Sequence, residues 1–251
     1  MHNKNYMRCF IITLFSLISF SAFSQVKKDS VNSSVLIIPY RPGMHMSDAD
    51  QDIAEESQMD LGEVRSTIRT GLVKALNQRF NEVHDTKVIQ TNFVNDDNND
   101  LDRLYHALVF SQDSTFPAKE PKKYAVKDSA LTYGTVFKNA KQPKQYMSAY
   151  IRDEKILPEL SEKYGTDYFL ILNEIDIKTH FEDCINLALK IYRREFTIHF
   201  QILDRKGNLL YGDAVTINYP SNNNNVKDIV YYNFPKVADY VLGAFERVVK
   251  N

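Results

Sequence analysis

The stretch Leu160-Ser-Glu-Lys-Tyr-Gly-Thr-Asp-Tyr-Phe-Leu-Ile-Leu172 decides the fold class, because a helix end, a tight turn and a buried strand follow one another within it. The helix is expected over Ile151–Tyr164, with Ile156, Leu157 and Leu160 on one face. Gly165 stands where a helix stop belongs. Pro158 inside this helix predicts either a kink or a new first turn. The following strand, Asp167–Lys178, is apolar on both faces at first and alternates later. That change places one end at the centre of a sheet and the other towards solvent.

Downstream, Lys190–Leu203 alternates with period two. Tyr192, Phe196, Ile198, Phe200 and Ile202 share one face, and Arg193, Glu195, Thr197, His199 and Gln201 the other. Asp204–Asn208 turns the chain, with Gly207 available for a positive φ, and Leu209–Tyr219 returns antiparallel. The polar face reads as half-exposed, with Arg193, Glu195 and His199 within reach of Glu174 and Asp176. Val226–Val249 is helical, with Pro235 marking its effective start. Upstream, Val35–Tyr40 reads as a short buried strand, Leu61–Phe80 as an amphipathic helix and Thr86–Gln90 as a second strand. Between about 92 and 150 the pattern is irregular apart from one helix carrying Leu101, Leu104, Tyr105, Leu108 and Val109. The expected fold is α/β: a mixed β-sheet of four or five strands with packed helices in a sandwich. It forms a single domain over 35–251, with a long insertion at about 92–150.

Residues 1–24 read as a cleavable signal peptide. Lys4 and Arg8 precede an apolar run from Cys9 to Phe23, and Ala22-Phe23-Ser24 offers small residues for cleavage after Ser24. The run is shorter than a membrane-spanning helix requires, and no later segment is apolar enough to cross. A flexible lead-in over 25–34 follows. The expected location is therefore periplasmic or secreted. Once Lys4 and Arg8 are set aside, the 31 basic residues become 29 against 32 acids, which argues against a nucleic-acid partner. One cysteine then remains, Cys184, which cannot form an internal disulfide. It is expected as a small buried hydrophobe, with a catalytic nucleophile as the alternative.

Three stretches carry a family resemblance. Val35-Leu-Ile-Ile-Pro-Tyr40 resembles the opening strand of the TolB amino-terminal domain and its relatives, the curli secretion protein CsgG and the penicillin-binding-protein activator LpoB. Leu160–Leu172 is similar to their helix, Gly-x-Asp turn and central strand, and Phe196–Tyr211 to their hairpin. The resemblance implies a cell-envelope protein that binds another protein or builds an assembly, and it brings no catalytic residues. CsgG and LpoB are lipoproteins, whereas this sequence lacks a lipidated cysteine, and the paired pore-forming hairpins of CsgG are not evident.

Asp48, Asp50 and Asp52 form the sharpest local pattern, an Asp-x-Asp-x-Asp spacing followed by Glu55, Glu56 and Asp60. Alternating carboxylates on a loop suit calcium, although Ile53 stands where an EF-hand loop needs glycine and Met59 where it needs glutamate. The same acids also suit a helix start, with Ser47 as cap and the carboxylates at the positive end of the dipole. Met44-His-Met46 is a soft donor set that suits copper, or an ordinary loop. His180, Glu182 and Asp183 offer acid, base or ligand chemistry, or a solvated turn. No phosphate loop, nucleophile elbow or zinc motif occurs. The leading expectation is an envelope protein that binds another protein without catalysis and without a cofactor. The alternatives are a small-ligand binder or hydrolase with a site near the acidic loop 44–60, and a calcium-stabilised module.

Overall fold

The sheet is built around β1 (Ser34–Ile38), whose β-branched residues pair in parallel with β3 (Asp85–Val88) on one side and β6 (Tyr168–Asn186) on the other. The computed structural model describes residues 33–89, 100–114 and 145–250. The expected signal peptide, its cleavage after Ser24, most of the lead-in, and stretches 92–99 and 115–144 of the insertion lie outside the described residues.

Beyond β6 the sheet continues antiparallel through β7 (Ile191–Asp204) and β8 (Leu209–Pro220), in the order β3-β1-β6-β7-β8. The short β2 (His45–Ser47) adds to β6 in parallel and makes the sheet six-stranded. The α/β class and mixed sheet match the expectation, and β2 is the strand that the sequence reading treats as loop. A separate ribbon of β4 (Leu108–Ser114) and β5 (Gln145–Ile151) comes from the two ends of the insertion. Ile151 thus ends a strand instead of opening a helix.

Helices cover both faces. α1 (Asp50–Ser57), α2 (Leu61–Phe80) and α5 (Val226–Val249) share one core with Val35, Ile37, Leu170, Ile198 and Phe200. α3 (Asp100–Ala107) and α4 (Ile156–Tyr164) share the other with Leu36, Ile38, Phe169 and Ile171. The strand β6 supplies both cores because its successive side chains point to opposite faces. That is the physical meaning of its doubly apolar run.

Local chemistry sets the boundaries. Asp60 and Glu63 form a reciprocal capping box at the start of α2. Gly165 closes α4 at φ 60°, and Gly207 turns β7 into β8 at φ 87°. Pro158 lies in the first turn of α4, where its missing N–H has no intrahelical partner to lose. Pro235, in contrast, lies inside α5, which starts at Val226 under an Asn225 cap accepting from Lys227 and Asp228. Asn225, and not the proline, marks the helix start. Among the described residues, no helix is long and apolar enough to cross a membrane.

On the polar face of β7, Arg193, Glu195 and His199 are half-buried, as expected, and His199 Nε2 lies 3.7 Å from Glu174, whereas the ribbon closes over Gln201. Gln201 is fully buried, its amide accepting from Ala149 N–H at 2.9 Å and donating to Ala149 C=O at 2.7 Å. His199 Nδ1 accepts from Met147 N–H at 2.9 Å. Burial holds the His199 imidazole down to about 4, so it stays neutral and able to accept.

Candidate functional site

The chain leaves β1 at its carboxyl end through Pro39-Tyr40-Arg41, enters a 3-10 turn at Pro42–Met44 and then forms β2. This is the switch point of the sheet, since one connection from β1 leads to β3 on one side and the later chain returns to β6 on the other. A cavity of about 520 Å³ opens there, bordered by Arg41, Met44, Arg69, Asp102, His106 and Phe110. Its cations come from two distant elements, β1's exit and α2, with the α3 residues facing them.

Under this cavity runs a buried polar chain. His45 Nε2 lies 3.0 Å from Asp50 Oδ1, and Tyr40 Oη lies 3.1 Å from His45 Nδ1. A carboxylate only accepts, so Nε2 carries the proton, and in the neutral ring Nδ1 accepts from the Tyr40 hydroxyl. Arg65 Nε donates to the other Asp50 oxygen at 2.6 Å. Burial alone pushes the Asp50 carboxyl up, but hydrogen bonds from His45, Arg65 and Ser47 outweigh it and hold the group at about 2. Arg69 Nε donates to Tyr40 C=O at 2.9 Å, and its Nη2 to Tyr105 Oη at 2.7 Å. Tyr105 Oη in turn donates to Pro39 C=O at 2.7 Å. Tyr40, His45 and Asp50 have the order of a hydroxyl–imidazole–carboxylate relay, yet all three are buried. Each polar end is used by protein, so the relay stiffens the cavity wall and offers no nucleophile to a substrate.

The three aspartates of the Asp-x-Asp-x-Asp pattern do not converge. Asp48 accepts from Thr179 N–H at 2.9 Å and from Thr179 Oγ1 at 3.0 Å, capping β6 where its pairing with β2 ends. Asp50 turns inward to His45 and Arg65. Asp52 accepts from Arg194 Nη2 at 2.7 Å, and Arg194, itself buried, also donates to Thr179 Oγ1 and to Asn224. Among the described residues, no three His, Cys, Asp or Glu side chains are arranged to hold a metal ion. Nor does Ser47 cap α1, whose N-cap position is Ala49; the Ser47 hydroxyl accepts from Ala49 N–H instead. In the Met44-His-Met46 set, His45 is buried and bound to Tyr40 and Asp50, while Met46 is exposed.

The most exposed part of the described chain is one that the sequence reading treats as a turn. β6 and β7 run on past the sheet as an arm in which residues 181–190 are all exposed. Leu187 is 82% exposed, Leu189 69%, Phe181 68% and Ile185 49%. The arm is nevertheless ordered by specific contacts. Cys184 pairs with Tyr192 and Asn186 with Ile191, while the Phe181 ring meets Tyr192 edge-on at 5.3 Å. Asp183 accepts from Arg193 Nε at 2.6 Å, and His180 Nδ1 lies 2.9 Å from Glu182. His180, Glu182 and Asp183 are therefore arm residues bonded to their neighbours. Cys184, expected to be buried, is exposed on the same arm. A run of Phe, Ile and two leucines between turn residues was the available signal, but alternation alone cannot say that a hairpin outgrows its sheet. The chain matches no known family model, and no curated protein matches it.

Proposed function

We propose that this protein is an exported cell-envelope protein acting without catalysis, as a protein-binding or assembly module, and that the β6–β7 arm makes the contact. The observation that carries this reading is the arm itself. Four large apolar side chains stand in water on a braced two-stranded ribbon, an arrangement that costs free energy until a partner covers it. Burying them is worth about 1.5–3 kcal/mol per side chain, enough together for a stable contact before the cost of association is subtracted. The sealed Tyr40–His45–Asp50 chain supports the same reading, as do the signal-peptide pattern of residues 1–24 and the resemblance to TolB, CsgG and LpoB.

A photo-crosslinking residue placed at Leu187 in producing cells tests it. The expected result is one discrete crosslinked species that disappears when Phe181 and Leu189 are changed to serine. The same species captured from exposed Glu56 on α1, or no species at all, would sink the proposal.

A second reading, small-ligand binding, rests on the cavity at the carboxyl end of β1. Arg41 and Arg69 outnumber Asp102 there, which suits a small anion. A melting shift with citrate or phosphate that Arg41→Gln removes supports it, and the absence of any shift discards it.

A further inference from the structure

Away from the arm, α2 and α5 lie against one another on the outer side of the sheet. Gly71 makes this approach possible: a Cβ there would stand 2.5 Å from Val230 Cγ1, so any side chain would force the helices apart. Above this contact runs a groove of about 970 Å³. On α2 its lining extends from Ser66 to Gln78, which at 1.5 Å per residue is roughly 18 Å of helix.

The groove has a definite chemical character. Its floor is small or apolar, with Gly71, Ala75, Val230 and Pro235, so a third backbone can come close. Lys74, Lys227 and Lys236 line it, and none of its lining residues is acidic. Among the described residues, no ion pair involves Lys74 or Lys227, and both are exposed. Burial lowers the pKa of Lys236, the more enclosed of the three. Tyr231 is 73% exposed and meets the Tyr232 ring edge-on at 5.0 Å. In a chain of net charge -1, this is a local concentration of positive charge with aromatic side chains beside it.

We infer that the α2–α5 groove docks an acidic amphipathic helix of a partner polypeptide. The spacing of the lysines argues for a polymer over a single small anion. Lys227 and Lys236 are nine residues apart on α5, roughly 13 Å along the axis, and cannot close on one phosphate. The small floor argues for a helix, since two packed helices present a furrow that a third can fill at ordinary interaxial distance. The apolar face of that helix meets Val230, Ala75 and Pro235, and its carboxylates meet the lysine rim.

The test uses the purified protein and a fluorescent peptide of about twelve residues, the length of the groove, with leucine and tyrosine on one helical face and glutamate on the other. A control peptide carries lysine in place of every glutamate. The acidic peptide is expected to bind and the lysine peptide not to bind. Lys74→Glu with Lys227→Glu is expected to weaken binding at least about tenfold, and Tyr231→Ala to weaken it in the same direction. Raising salt from about 0.1 M to 1 M shortens the screening length from about 10 Å to 3 Å and is expected to weaken binding as well. Circular dichroism melts check that the variants fold, as exposed lysines allow. Equal binding of both peptides, no binding of the acidic one, or an affinity indifferent to the lysine reversals overturns the inference. Lysine-dependent binding of vesicles containing phosphatidylglycerol, or of a single-stranded oligonucleotide, in preference to the peptide also overturns it.

Discussion

Gly212 on β8 offers the sharpest test of how the insertion joins the domain. Its backbone is ordinary strand, so alanine fits the local conformation. Space is what alanine lacks: its Cβ would stand 2.0 Å from Tyr146 Oη and 2.2 Å from Tyr146 Cζ. Optimal carbon contacts are about 3.5–4.0 Å, so the phenol must retreat by more than about 1 Å. Tyr146 belongs to β5 and is 1% exposed, so it has no open side to swing into. Gly212→Ala must therefore lift the ribbon off the sheet, an overpacking that costs about 1–3 kcal/mol. In a chain of this size that lowers the melting temperature by roughly 2–4 °C per kcal/mol. Urea unfolding followed by circular dichroism measures it, and Tyr146→Ala supplies the control. With the phenol gone, the three atoms nearest that Cβ are removed and the restriction of the unfolded chain remains, so the effect should turn neutral or stabilising by about 0.4–1 kcal/mol. The reversal of sign is the signature of the contact. An equal cost in both backgrounds, or no cost in the parent, would refute the packing of the ribbon against β8.

Four further outcomes are expected. Asp50→Asn should cost about 2 kcal/mol at pH 7, because the carboxyl titrates at about 2 in the folded chain against an ordinary 3.8. The folded state binds fewer protons than the unfolded one between these values, so the stabilisation is complete above pH 4 and is lost as pH falls towards 2. The gap between parent and variant, measured by urea unfolding at each pH, should close over that window. Asp48→Ala strips the Thr179 N–H of its acceptor and should destabilise by about 1–3 kcal/mol, with Asp48→Asn recovering part of the loss; unchanged urea midpoints would count against the Asp48–Thr179 bond as a stabilising contact. Cys184 should react with a maleimide in the native protein without denaturant, whereas a need for denaturant would contradict its exposure on the arm. Leu187→Ser with Leu189→Ser should change stability by less than about 0.5 kcal/mol, since both side chains already stand in water; a larger loss by urea unfolding would mean that they are covered within the chain.

Much of the framework is readable from short windows of sequence, because the forces that set it are local. The capping box at Asp60 and Glu63, the stops at Gly165 and Gly207, and the alternation along β7 all follow from residues within a few positions of one another. The candidate sites are less readable because their partners lie far apart in the chain. Asp48 meets Thr179, and Asp52 meets Arg194. A run of aspartates looks the same in sequence whether it surrounds a cation or pins a segment to three different donors. Likewise Gln201 and His199 read as a solvated face, since a polar side chain does not reveal whether water or a buried ribbon satisfies it.

By itself the sequence determines the α/β class, the central place of the first half of β6 and the β7–β8 hairpin, because apolar period and turn chemistry act over one element at a time. The tertiary structure decides the rest. It seats the ribbon from the insertion over Gln201 and His199 of β7, divides Asp48, Asp50 and Asp52 among separate partners, and leaves Phe181, Ile185, Leu187 and Leu189 standing clear of the sheet. The reason is that burial depends on which elements arrive from elsewhere in the chain to cover a surface, and no local pattern records where a neighbouring element stops.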